Sequence, residues 1–210
     1  MDIKKIYSSE TLERNGDILL IEGPVTPDYL RTLTMHEGLN AFRRPIEQHE
    51  ALIEIAGLPE GRMIVTVAGG VIVGYVTFHY PDEMERWSQG NMVDLIELGA
   101  IEVAKPFRSL GLGKRMIRLA FREEQLENFI VFTTEYYWHW DLEGAKMNVW
   151  DYRKMMEKLM ESAGMVWFAT DDPEICSHPA NCLMVRVGKK VPLASVEQFD
   201  RIRFQQRFMY

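Results

Sequence analysis

Apolar residues recur along this chain in two rhythms, short β-like runs and longer helical stripes. Ile18-Leu-Leu-Ile21, inside Asp17–Val25, predicts a strand that Gly23-Pro24 stops. Thr26-Pro27-Asp28 then has the form of an N-cap with proline at the first helical position, opening a helix to about His36. A second helix is predicted from Pro45 to near Gly57-Leu58-Pro59, with Leu52, Ile53 and Ile55 to bury. Arg62–Ala68 and Val71–Tyr80, rich in Val and Ile and separated by Gly69-Gly70, form a hairpin pattern. A polar loop, Pro81–Met92, carries Trp87. Beyond it the pattern predicts a strand at Leu95–Ala104, a helix from about Leu112 to Glu127 and a strand at Phe129–Glu135. After the aromatic run Tyr136–Trp140 come a helix near Asn148–Ala163, stopped by Gly164, and a strand at Met165–Thr170. Pro179–Val187 and Ser195–Phe208 have helix-like spacing of apolar residues. The order is β-α-α-β-β-β-α-β-α-β with a largely helical C-terminal extension.

A length of 210 residues suits one full α/β domain with decoration and is short for two. Net charge −7 argues against a nucleic-acid partner and mildly favours a cationic substrate. No apolar run approaches membrane-spanning length, and Met1–Glu10 has no apolar signal-peptide core. With only two cysteines, Cys176 and Cys182, a disulfide scaffold is not expected, and a reducing cytoplasm is the expected location. Cys176, His178 and Cys182 fall close together but match no common zinc spacing, so no metal is expected.

The chemistry-bearing stretch is Arg108-Ser-Leu-Gly111-Leu-Gly113, between a predicted strand and a predicted helix whose apolar face includes Met116, Ile117, Leu119, Ala120 and Leu126. A glycine loop at a helix N-terminus offers unpaired N–H groups and the positive end of the dipole to a phosphate. A Walker loop would need glycine at Arg108 and Ser or Thr at Arg115; a dinucleotide fingerprint would need glycine or alanine at Met116. Arg108 and Lys114 are unfavourable beside a helix start unless an anion sits there. Ser109 is a candidate helix cap, phosphate contact, or both. The same two glycines also fit a plain strand-to-helix turn.

This R-x-x-G-x-G loop after a strand, with the element order above, resembles the coenzyme A loop of the GNAT N-acetyltransferases. More narrowly, the chain resembles the acetoin-utilisation protein acetyltransferases over essentially its whole length. That likeness lies in Leu20-Ile-Glu-Gly-Pro-Val25, Glu47–Leu52, Asp94–Val103, Thr133–Leu142 and Ser177–Met184. The resemblance implies a GNAT fold of class α/β, a mixed central sheet flanked by helices. Residues 1–170 would form the acetyltransferase domain, and residues 171–210 an extension packed on it. It further implies acetyl-CoA as cosubstrate and AMP-forming acetyl-CoA synthetase as a protein partner, acetylated on lysine and switched off. In the family pattern, Arg108, Ser109, Leu110, Gly111, Leu112, Gly113 and Lys114 would hold the pyrophosphate, and main-chain groups of Ile101 and Val103 the pantetheine arm.

Acetyl transfer to an amine needs a neutral nitrogen, and freeing a lysine of its proton at pH 7 costs roughly 4–5 kcal/mol. A desolvated pocket and a base supply part of this. Counting back from Arg108, the family pattern puts a general-base glutamate at Glu97; Glu102, five residues on, should face the other way and is the second candidate. Either could instead be a structurally paired carboxylate. Where many GNATs carry a tyrosine as thiolate proton donor this chain has Met160, leaving Tyr152, Tyr136, Tyr137, His139 or water for the role. Clustered aromatics at Tyr136–Trp140 also fit a packing wall or, with Phe204–Tyr210, a docking surface. Two other readings remain open at this point: acetylation of a small amine, and a non-catalytic CoA-dependent inhibitor that grips the synthetase.

Overall fold

The computed structural model describes residues 4–14 and 16–205. Its elements are β1 (Ser8–Arg14), β2 (Asp17–Gly23), α1 (Pro27–Arg31), β3 (Thr34–Met35), α2 (Pro45–Gly57), β4 (Arg62–Ala68), β5 (Val71–His79), β6 (Leu95–Val103), α3 (Leu112–Ala120), β7 (Ile130–Glu135), α4 (Leu142–Ala145), α5 (Val149–Glu161), β8 (Val166–Phe168), α6 (Pro173–Cys176), β9 (Cys182–Val187) and α7 (Leu193–Arg203). Two compact units contain them. One holds residues 4–79 and 98–123; the other holds 80–97 and 124–205, so β6 contributes residues to both. Among the described residues no helix is long and apolar enough to cross a membrane.

In the first unit the strands run β1-β2-β4-β5 and then the second half of β6, with the two-residue β3 parallel to β5. β1–β2, β2–β4 and β4–β5 are antiparallel, as short connections between them require. Leu30, Leu39, Leu52, Ala56, Met63, Val65, Ile72 and Tyr75 form one core cluster between sheet and helices. The side chain of Arg62 is fully buried on β4. Its Nε and Nη2 meet Glu123 Oε2 and Oε1 at 2.8 and 3.3 Å, and its Nη1 donates to the Glu60 carbonyl at 2.9 Å.

In the second unit β6 opens parallel to β7, with Leu95, Ile96 and Glu97 opposite Ile130, Val131 and Phe132. β9 lies antiparallel between β7 and β8. Trp87, Leu95, Phe132, Leu183, Val185, Phe199 and Ile202 make its core. β8 has only three residues, and both Val166 and Trp167 are more than half exposed.

Several elements depart from the sequence pattern. Ser8–Arg14, not anticipated, is the strand β1: a polar strand whose burial alternates, pairing only with β2. The helix expected to His36 ends at Arg31, because Thr34 and His36 donate instead to the Gly70 and Ile72 carbonyls at 3.1 and 3.0 Å. The helix expected to Glu127 ends at Ala120. There the bonds tighten to Arg122 N–H→Leu119 and Glu123 N–H→Ala120, turning the Glu123 carboxyl inward to Arg62. Leu126 consequently sits in a short 3-10 turn. Pro179–Val187 is not helical: Cys182–Val187 is β9, whose first four residues are buried. A short apolar run has no decisive period, and two flanking strands supply its hydrogen bonds. Of the expected helix Ser195–Phe208, α7 covers Leu193–Arg203; residues 206–210, including the end of the proposed tail surface, lie outside the described residues.

The buried Arg62–Glu123 pair should be costly to break. Glu123→Ala is expected to lower unfolding free energy in urea by about 3–5 kcal/mol, since it removes the carboxylate that answers a buried guanidinium. Glu10→Ala, which removes the more exposed pairs with Arg115 and Arg122, should cost about 1 kcal/mol or less.

Candidate active site

β6 ends at Val103, and the Ala104 N–H returns to the Val73 carbonyl of β5 at 2.9 Å. A 3-10 turn, Lys105–Phe107, leads to Arg108, whose Nε donates to the Val103 carbonyl at 3.0 Å. Ser109 and Gly111 both have left-handed backbones, φ +70° and +69°. Gly111 itself is the N-cap of α3, and no side chain caps that helix, so Ser109 does not take the capping role expected of it. The first helical bond runs from the Arg115 N–H to the Gly111 carbonyl at 3.0 Å, which leaves the N–H groups of Leu112, Gly113 and Lys114 ahead of the ladder. A Cβ at Gly111 would meet nothing within 4 Å. The first turn of α3 holds no acidic residue, and Leu112, Met116, Ile117, Leu119 and Ala120 are buried behind it. Free amides, a dipole without a carboxylate, open space and the cations Arg108 and Lys114 together fit a diphosphate. Ile101 and Val103, half-buried, lie beyond Glu97, the last β6 residue in register with β7.

The two candidate carboxylates of β6 have opposite surroundings. Glu102 is fully engaged: Oε1 accepts from the Ala41 N–H at 2.9 Å and Oε2 from the Tyr75 hydroxyl at 2.7 Å. Burial and the Glu102 charge push the Tyr75 hydroxyl well above its ordinary pKa. Glu97 is 8% exposed, and among the described residues no hydrogen-bond donor reaches its carboxyl. Burial, and then the negative fields of Glu85 and Asp82, raise its pKa to about 8.

Within residues 80–97 and 124–205, Trp87 packs on Phe132, the register partner of Glu97, at 5.1 Å between ring centroids. Arg86 next to it reaches Asp171 at 2.8 Å and Asp172 at 3.3 Å. The aromatic run is part wall and part surface: Tyr136 stacks on Trp138, Tyr137 lies against His178, and Trp138 is 44% exposed. Tyr152 stacks on Trp140 at 5.2 Å, and the Trp140 indole N–H donates to Glu135 at 3.1 Å. Tyr136 instead shares the neighbourhood of Glu85, Asp172 and Glu174, and burial holds its hydroxyl protonated far above neutral pH. Met160, where many GNATs place tyrosine, is fully buried. Cys176 is exposed and Cys182 buried, with the thiol of Cys182 pushed up to about 12 by burial and the nearby Glu135.

Glu135 and Glu85 carry little signal in the sequence. Burial raises Glu135 to about 7 despite its bond from Trp140. Its only signal was a lone carboxylate closing the apolar strand Ile130–Glu135 just before the aromatics. Glu85 sits in a polar loop where any one acid looks ordinary.

A family model described as "Acetyltransferase (GNAT) family" matches residues 31–139, just over half the chain, taking in β6, the glycine loop, α3 and β7. This chain belongs to the GNAT acetyltransferases. The family transfers acetyl groups from acetyl-CoA to amines. Within this family the chain is 60% identical to the acetoin utilization protein AcuA of Bacillus subtilis strain 168, and 57% to that of Bacillus licheniformis, over the full length of each. The crystal structure of an acetoin utilization protein from Exiguobacterium sibiricum, 53% identical, superimposes with a TM-score of 0.96 over 99% of this chain and 98% of that one. A GNAT acetyltransferase of Streptococcus pneumoniae, 15% identical with a TM-score of 0.52 over 80% of this chain and 98% of its own, shares the fold.

The raised pKa of Glu97 has a stability signature. The folded state binds a proton that the unfolded chain releases above the ordinary carboxylate value of 4.5, so stability is lost as pH rises from there through about 8. Glu97→Gln should therefore be more stable than the parent at pH 9, by on the order of 1–3 kcal/mol in urea melts, with the difference vanishing near pH 4.

Proposed function

We propose that this GNAT acetyltransferase uses acetyl-CoA to acetylate a lysine of AMP-forming acetyl-CoA synthetase in the cytoplasm, and thereby inactivates it. The observation that carries a catalytic rather than a gripping role is Glu97, a buried carboxyl with no donor among the described residues, its pKa raised to about 8, on the strand leading into the Gly111-capped helix. A carboxylate held only for structure would have the partners Glu102 has. The choice of the synthetase as acceptor rests on the 60% likeness to AcuA and on the family resemblance of the sequence.

In this reading, the α3 amides of Leu112, Gly113 and Lys114, with Arg108 and Lys114, hold the diphosphate. Main-chain groups of Ile101 and Val103 hold the pantetheine arm. Acetyl-CoA supplies the thioester carbon that the amine attacks. Glu97 accepts the proton the attacking ammonium must shed, and its pKa near 8 makes it a far stronger base than an exposed carboxylate. The C–N bond forms as the C–S bond breaks. Tyr136, which stays protonated near these carboxylates, holds the proton the departing thiolate takes up. Tyr152, set against Trp140 and Glu135, supports the aromatic wall. Glu102 braces β5 and the Ala41 segment, outside the chemistry.

Mass spectrometry of AMP-forming acetyl-CoA synthetase after incubation with this protein and acetyl-CoA should show one acetyl group gained at a single lysine, with matching loss of synthetase activity. Glu97→Gln should retain CoA binding and lose transfer by about 10²–10⁴-fold. Unchanged synthetase inhibition by that variant would instead favour a gripping protein. The parent kcat/KM should rise with pH up to a bend near 8, absent in the variant. Gly111→Asp puts a carboxylate at the open αL cap and should weaken CoA at least about tenfold in isothermal titration.

A further inference from the structure

The loop before β6 and the segment around α6 bring several carboxylates together. Arg86 clasps the two by pairing with Asp171 and Asp172. Asp172 also caps α6 through the Glu174 and Ile175 N–H groups, at 2.9 and 3.1 Å. Asp82 accepts the Met84 N–H at 2.8 Å, which fixes the turn that presents Glu85. The side chains of Asp82, Glu85 and Glu174 are solvent-exposed, and among the described residues none of the three has a cationic partner. Their fields converge: Glu85 feels Asp82, Glu174 and Asp172, and Tyr136 feels Glu174, Asp172 and Glu85. Glu97, nine-tenths buried and with no donor among the described residues, lies in register with Phe132, on which Trp87 of the same loop packs at 5.1 Å, and it feels the charges of Glu85 and Asp82.

Mutually repelling acids crowded beside a buried acid destabilise the free protein, and a bound cation relieves that repulsion. An acceptor amine arrives as an ammonium, and acidic flanks on its own chain would meet repulsion here. We propose that Asp82, Glu85 and Glu174 form an anionic mouth over Glu97 that selects acceptor lysines with basic rather than acidic neighbours. This rests on the amine-acetylating reading above and adds the charge of the accepted segment. Glu85 acts twice: it attracts the acceptor, and as a positioning residue it raises the proton affinity of Glu97.

The test uses two synthetic heptapeptides with one central lysine, one flanked by arginines and one by glutamates. Each is acetylated by the parent, by Glu85→Gln and by Glu85→Gln/Glu174→Gln at low and high salt. At low salt the parent KM should be at least about tenfold lower for the basic peptide, and the ratio should fall to about threefold or less in the double variant or in 0.5 M salt. The loss should fall on KM more than on kcat. Glu85→Gln should also move the acid limb of the pH–rate profile to lower pH, which a merely structural residue would not do. No preference in the parent, or a preference untouched in the double variant, overturns the proposal. Fluorescence anisotropy of the labelled peptides on CoA-saturated protein separates the two readings. Charge-selective binding lost in the double variant, without acetylation of either peptide, would sink the amine-acetylating reading while upholding the mouth. Acetylation without selectivity would do the reverse.

Discussion

A buried ion pair at one end of α3 fixes the direction in which the amides at its other end point. Arg62, on a strand where every neighbour is apolar or β-branched, has no solvent to rely on, and Glu123 answers it with both oxygens. Because Glu123 lies just past α3, that bidentate contact fixes the helix against β4. The buried face from Leu112 to Ala120 completes the anchoring. The Leu112, Gly113 and Lys114 amides are thus aimed by residues at the far end of the helix and on the neighbouring strand, a preorganisation that suits the diphosphate role proposed for them.

Glu97 and Glu102 show how partners, not residue type, assign a role. Both are buried on one strand. Glu102 has a main-chain N–H and a phenol to stabilise its charge, and so behaves as a brace. Among the described residues Glu97 has neither; burial and neighbouring acids work against its charge and raise its pKa to about 8. Such shifts are common where proteins do chemistry, which supports the base role proposed for Glu97.

Much of this was legible in the sequence because local rules agreed with tertiary ones. Gly111, the αL residue before an amphipathic stretch, marked the start of α3, and the Val- and Ile-rich runs either side of Gly69-Gly70 marked the β4–β5 hairpin. Legibility failed where distant contacts overruled the local pattern. Cys182–Val187 has helix-like spacing but is claimed by strands on both sides, and α3 stops early because Arg62 needs Glu123. β1 stayed hidden because Ser8–Arg14 buries little and has only the β2 edge to define it. Counting back in the family pattern pointed to Glu97, while Glu85 in its polar loop carries no local signal of the acids it meets after folding.

The brevity of β8 has a consequence for how the molecule behaves in concentrated solution. An outermost strand bearing an exposed valine and tryptophan is a template onto which stray chains can zip, and long ones seed fibres. Three residues, however, offer a newcomer too few ladder bonds to offset the entropy of aligning it. Stickiness is thus permitted at this margin while polymerisation is denied, and lengthening the strand by a few β-branched residues would remove the safeguard.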